Sequence, residues 1–159
     1  MKYTRKEFFV KTIQSVAVIA VPSLLTSVLE SCNNNINGPG NPGSTLANVQ
    51  GTLSNGQVTV NIDSSSPIAK TGTAAMVNFS NGSLLVDHPS GTSFNALSSI
   101  CTHQGCQINS YDSGSSQFVC NCHGSRFDVN GNVVQGPAGS PLQKYATQVL
   151  NNQLIIKVG

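Results

Sequence analysis

From residue 46 to the C-terminus, short apolar runs alternate with polar clusters and nowhere take up helical spacing. The runs are 57–62 (QVTVNI), 74–79 (AAMVNF), 83–87 (SLLVD), 93–98 (SFNALS), 107–111, 117–119, 126–129, 144–150 (KYATQVL) and 153–158 (QLIIKV). Strict alternation, or a brief apolar run bounded by turn residues, is the signature of a β-strand. The boundaries are Asn55-Gly56, Asn81-Gly82, Asn130-Gly131 and Asn151-Asn152. Asn and Gly tolerate the positive φ that two-residue hairpin loops need. Many short strands at this spacing predict an all-β sandwich or barrel, with no helix after residue 32 and no internal repeat.

Composition narrows the function classes. Of 159 residues only 9% are charged and 6% aromatic, with no Trp. The net charge of +2 belongs to the N-terminus, where Lys2, Arg5, Lys6 and Lys11 are opposed by Glu7 and Glu30. From Cys32 onward Lys70, Arg126, Lys144 and Lys157 balance Asp63, Asp87, Asp112 and Asp128. Nucleic-acid binding needs a basic surface to neutralise phosphates, and the domain offers none.

The first 45 residues read as targeting and tether. A basic start is followed by the mostly apolar stretch 12–29, interrupted by Pro22 and diluted by polar residues. It is marginal for a spanning helix, which wants about 20 predominantly apolar residues. An export signal at 1–31 is therefore expected, with a retained membrane anchor as the alternative. Thr4–Lys11 resembles a twin-arginine signal with Lys6 in place of the second arginine. Leu29-Glu30-Ser31-Cys32 resembles a lipoprotein cleavage box, which makes Cys32 the candidate lipidation site. Residues 32–45 are rich in Asn, Gly and Pro and have almost nothing to bury, so they read as a flexible tether with a reach of roughly 20 Å.

The chemistry lies in 101–123. The chain has five Cys and three His, and six of these eight fall there: Cys101, His103, Cys106, Cys120, Cys122 and His123. Cys101-Thr102-His103 and Cys120-Asn121-Cys122-His123 each offer a Cys–His pair. Zinc modules of the Cys₂His₂ kind instead use C-x₂₋₄-C with H-x₃₋₅-H. His88, in Val86-Asp87-His88-Pro89, reads as a surface loop residue and not a ligand.

C-x-H, about sixteen residues, then C-x-x-H resembles the Rieske iron–sulfur family, and the likeness extends from about residue 46 to the end. It implies an antiparallel β-sandwich with a small cluster-binding subdomain built on loops 101–106 and 120–125, within a domain spanning 46–159. It also implies a [2Fe–2S] cofactor, with Cys101 and Cys120 on one iron and His103 and His123 on the other. Two thiolates and two neutral imidazoles leave an oxidised core of about +2 near neutrality, whereas four thiolates leave it at about −2. Reducing the neutral site is easier, so histidine ligation raises the potential. Four cysteines allow three pairings. With Cys101 and Cys120 as ligands the resemblance implies a Cys106–Cys122 disulfide, as in the cytochrome bc-complex and arsenite-oxidase small-subunit types. A disulfide agrees with an oxidising compartment on the periplasmic or outer face of a bacterial membrane.

By the same resemblance Ser125 donates a hydrogen bond to the cluster. Phe127 stands where a Tyr commonly donates to a ligand sulfur. Gly136-Pro137-Ala138 resembles the covering proline loop, and Gln104 replaces the apolar residue common in quinol-oxidising members. No nucleophile–base pair or carboxylate dyad appears, so any oxidoreductase activity would need partner subunits. The expectation is a membrane-tethered, stand-alone one-electron carrier between periplasmic redox proteins such as cytochromes. The alternatives are the Rieske subunit of a quinol–cytochrome c oxidoreductase and the small subunit of an arsenite-oxidase-like molybdenum enzyme.

Overall fold

The computed structural model describes residues 43–159. The export segment, Cys32 and residues 32–42 of the tether lie outside the described residues. Among the described residues there are thirteen strands and no helix, so none is long and apolar enough to cross a membrane.

One sheet holds five strands in the order β1 (Ser44–Thr45), β8 (Ser110–Asp112), β9 (Gln117–Cys120), β10 (Ser125–Asp128) and β11 (Val133–Gln135). The other holds eight: β2 (Ala47–Gln50), β5 (Thr73–Phe79), β6 (Gly82–Ser90), β7 (Ser93–Ser98), β12 (Lys144–Leu150), β13 (Gln153–Lys157), β4 (Gln57–Asn61) and β3 (Thr52–Ser54). Its two edge strands, β2 and β3, are joined by Gly51 alone, so the sheet curls until its edges nearly meet. A Cβ at Gly51 would lie 2.6 Å from a Val58 methyl and 3.0 Å from one of Val77, so only glycine permits that corner. Closing the edges hides backbone groups that would otherwise invite strand addition. The pairing is antiparallel except where β2 runs parallel to β5.

β6 shows why sequence pattern and architecture agree. Leu84 and Val86 enter a core inside the curled sheet with Val58, Val60, Leu154 and Ile156. Leu85, between them, enters a second core with Leu97, Tyr111, Phe118 and Phe127. A strand buried on both faces reads as a continuous apolar run. Two of the four expected hairpin loops follow that chemistry: Asn55 and Gly56 have φ of 50° and 72°, and Asn151 and Asn152 have 49° and 59°, whereas Asn81 and Asn130 do not take positive φ. Two consecutive positive φ values are what a type I′ turn demands.

His88 departs from the sequence reading. It is 5% exposed and lies inside β6, not in a surface loop. Its Nδ1 is 2.9 Å from the Ile68 carbonyl and its Nε2 2.6 Å from that of Gly91, and its ring stacks on Phe94 at 4.1 Å. β6 continues through Pro89 because the register with β7 shifts between Asp87 and Ser90, which absorbs a residue that pairs poorly.

Asp87 is 2% exposed. Its Oδ2 accepts from Asn95 Nδ2 at 3.3 Å and its Oδ1 has no partner. Burial pushes its pKa up to about 6, against the opposing pull of Asn95 and Lys144. A folded-state pKa above the unfolded value means the protonated acid costs little. Stability then falls as pH rises from the unfolded pKa through about 6. Asp87→Asn is therefore expected to stabilise the protein at pH near 8 by roughly 1–3 kcal/mol and to leave it unchanged near pH 4. Thermal midpoints of the loaded protein at the two pH values check this, and equal shifts at both would contradict it.

Candidate metal centre

Two loops built on one local plan carry the cysteine–histidine pairs. In the first, the Gly105 N–H donates to the Cys101 carbonyl at 3.0 Å; in the second, the Gly124 N–H donates to the Cys120 carbonyl at 2.9 Å. Each bond closes a single turn from a cysteine to the glycine four residues on. Gly105 and Gly124 have φ of 75° and 78°, which glycine adopts at no steric cost. A glycine four positions after each candidate cysteine is therefore a sequence signal for the loop geometry.

The loops are tied to each other and to a third segment. Cys106 and Cys122 form a disulfide with a Cα–Cα distance of 6.6 Å. The Thr102 hydroxyl donates to the Ser140 carbonyl at 2.6 Å. Asn121 Nδ2 donates to Ser110 Oγ at 2.6 Å, which pins the second loop to β8. Neither Thr102 nor Asn121 stands out in the sequence, because its partner is remote in the chain. The Ala138 N–H donates to Ser125 Oγ at 3.0 Å, with Ser125 fully buried. With its oxygen so engaged, the Ser125 hydroxyl keeps its own proton to donate. Gly136–Pro137, a cis peptide, begins the segment containing Ala138 and Ser140.

Inside this frame the proposed donors fall in two pairs, thiol beside thiol and imidazole beside imidazole. Cys101 and Cys120 are the free cysteines among the described residues, 2% and 1% exposed. Burial pushes the Cys120 thiol up, and the adjacent Cys101 adds to it. The sulfurs of Cys106, Cys120 and Cys122 lie within 4.8 Å of one another, but two of the three are spent in the disulfide. The rings of His103 and His123 meet edge to face, their centroids 4.9 Å apart. His103 Nδ1 is buried with no partner, and His123 is exposed.

The orphaned imidazole nitrogen of His103 is costly unless something accepts its lone pair or its proton, and two buried thiols stand near it as soft donors. A soft or borderline metal held by two sulfurs and two nitrogens satisfies them. The residues present thus fit an iron–sulfur group, which Cys101, Cys120, His103 and His123 would hold. When bound, such a cluster supplies reversible one-electron transfer. The chain would contribute thiolate and imidazole donors, a dry wall of Phe118, Phe127 and Ile108 behind the sulfurs, and an opening at the exposed His123.

An all-β domain that presents two thiols and two imidazoles from paired loops defines an iron–sulfur electron-transfer protein. The chain belongs to the Rieske [2Fe–2S] family, whose domain model matches residues 58–146, and it binds a [2Fe–2S] cluster. It is 35% identical to the cytochrome b6-f complex iron-sulfur subunit of Prochlorococcus marinus (strain MIT 9215), over 57% of each chain. The chain thus spans little more than half of that relative, and 34% of the same subunit from strain AS9601, to which it is 43% identical. The crystal structure of the cyanobacterial plasma membrane Rieske protein PetC3 from Synechocystis PCC 6803 is 36% identical. It superposes with a TM-score of 0.51, covering 62% of this chain and 98% of that one.

Phe127 is fully buried in the core that also holds Cys101 and Cys120. Phe127→Tyr is expected to raise the reduction potential, because a hydroxyl near a ligand sulfur stabilises the more negative reduced state. A tenfold change in a one-electron equilibrium is about 59 mV. A shift of some tens of millivolts upward is expected, and Ser125→Ala is expected to move the potential downward by a similar amount. Protein-film voltammetry decides it: no change or a fall in the Tyr variant means that residue 127 does not point at the cluster.

Proposed function

We propose that this protein is an exported, membrane-tethered Rieske carrier that passes one electron at a time between redox proteins outside the cytoplasm. Cys101 and Cys120 bind one iron, and His103 and His123 bind the other. The observation that carries this is the pairing of two buried free thiols with two converging imidazoles, one of them orphaned. Residues 1–31 direct export, Cys32 is lipidated, 32–45 form the tether and 46–159 the electron-transfer domain. Gln104, exposed at the tip of the first loop, favours a protein partner over a buried quinol site.

The test is pulsed EPR on the reduced protein, with and without ¹⁵N-labelled histidine. Strong coupling to nitrogens of two histidines is expected. A spectrum without nitrogen coupling, or zinc in place of iron by metal analysis, overturns the ligand assignment. Solubilised from native membranes, the protein is expected to migrate without a cytochrome b partner, and Cys32→Ser to release it from the membrane. A second reading, a subunit of a cytochrome complex, is favoured by the names of the relatives. Stable comigration with a cytochrome b would establish it in place of the first.

A further inference from the structure

A carrier of the kind proposed releases its electron through the three segments around Cys101, Cys120 and Ala138, and the docking chemistry of this face rests on that carrier reading. These segments form one face, joined by the Cys106–Cys122 disulfide and by the bonds Thr102–Ser140 and Ala138–Ser125. Residues 88–111, 113–125 and 129–143 contain no Asp, Glu, Lys or Arg. The four charges that punctuate them, Asp112, Arg126, Asp128 and Lys144, sum to zero. Asp112 pairs with Arg126 at 3.1 Å. Asp128 accepts from the Asn130 and Asn132 amides at 2.8 Å and from Asn132 Nδ2 at 2.9 Å. Lys144 Nζ lies 3.1 Å from Asn130 Oδ1.

The outward side chains Thr102, Gln104, Asn121 and Pro137 are uncharged. Beyond them Ile100, 49% exposed, borders a cleft of about 510 Å³ that also has no charged residue in its wall, which includes Ser83, Ser99, Gln107 and Tyr145. A partner that met this surface with a ring of lysines or carboxylates would lose hydration and gain no counter-charge.

We infer that this face docks a redox protein whose own contact surface is uncharged, and that their encounter proceeds without electrostatic steering. Steered associations depend steeply on ionic strength, and unsteered ones do not.

The test is the reduction of oxidised holoprotein, whose cluster is near neutral by the ligand count above, by iron(II)–EDTA, an anion, and by hexaammineruthenium(II), a cation. Ionic strength is raised from about 10 mM to about 1 M, which shortens the screening length from about 30 Å to about 3 Å. Each second-order rate constant is expected to change by less than about threefold. The same holds for a strongly basic and a strongly acidic c-type cytochrome, each supplied reduced as the electron donor. Steep slopes of opposite sign for the two metal complexes, or for the two cytochromes, overturn the inference.

Two variants locate the face. Gln104→Lys is expected to speed the iron–EDTA reaction about tenfold at low salt and to slow the ruthenium reaction. Gln148→Lys, on the exposed side of β12, is expected to leave both within about twofold. Equal responses of the two variants would mean that electrons enter elsewhere. A holoprotein that takes no electron from either complex defeats the carrier reading itself, an outcome distinct from any salt slope.

Discussion

In the loaded protein, His123→Cys is expected to lower the reduction potential by on the order of 100–300 mV. The two-histidine ligand set spans about −150 to +300 mV, whereas four-cysteine plant-type clusters lie near about −400 mV. One substitution exchanges a neutral imidazole for a thiolate and adds one negative charge, so it should cover part of that gap. His123 is exposed, so the new thiolate stays in contact with solvent and the variant is expected to assemble. His103 differs: its Nδ1 is buried and without a partner. A thiolate there is desolvated, and His103→Cys is expected to lose most of its iron. Voltammetry and iron analysis on the two variants check both statements. An unchanged potential in a fully loaded His123→Cys protein would remove His123 from the ligand set.

The second large effect belongs to the disulfide. In the native protein, thiol labelling without reductant is expected to miss Cys106 and Cys122. Cys106→Ser together with Cys122→Ser is expected to cost about 3 kcal/mol, the chain-entropy value for a loop of this size, whose ends are 16 residues apart. That bond alone joins the first loop covalently to the second. Its loss leaves Thr102 on Ser140 and Asn121 on Ser110, each holding one loop to a different neighbour. The two loops can then separate over the donors. Loss of visible absorption on heating is expected to be faster in the double variant. Equal bleaching rates, or ready labelling of both native cysteines, would show that the clamp does not protect the site.

Much of this was legible in the sequence, for reasons that are local. Cys and His identities and spacings survive folding unchanged, and the glycines that close each loop lie four residues from Cys101 and Cys120. The Asn-Gly and Asn-Asn hairpins follow from backbone preferences of two adjacent residues. Strands such as 144–150 and 153–157 alternate because one face of each meets a core.

What escaped was decided by residues far apart in the chain. β1, β2, β3 and β11 are short, and most of their side chains are exposed, so they carry no apolar period. β1 is a strand because Ser44 and Thr45 meet Tyr111 and Ser110, and β2 because it lies along β5. The run 107–111 contributes only a bridge from Gln107 to Ile100 before the strand begins at Ser110. His88 and Asp87 read as polar residues beside a proline and are buried. The register shift in β6 carries the strand past them, and partners at Ile68, Gly91 and Asn95 satisfy three of their four polar atoms. The convergence of His103 on His123 and of Cys101 on Cys120 is likewise tertiary. The residue types advertise the chemistry, but only the folding of two separate loops against one core brings the two thiols together and the two imidazoles together.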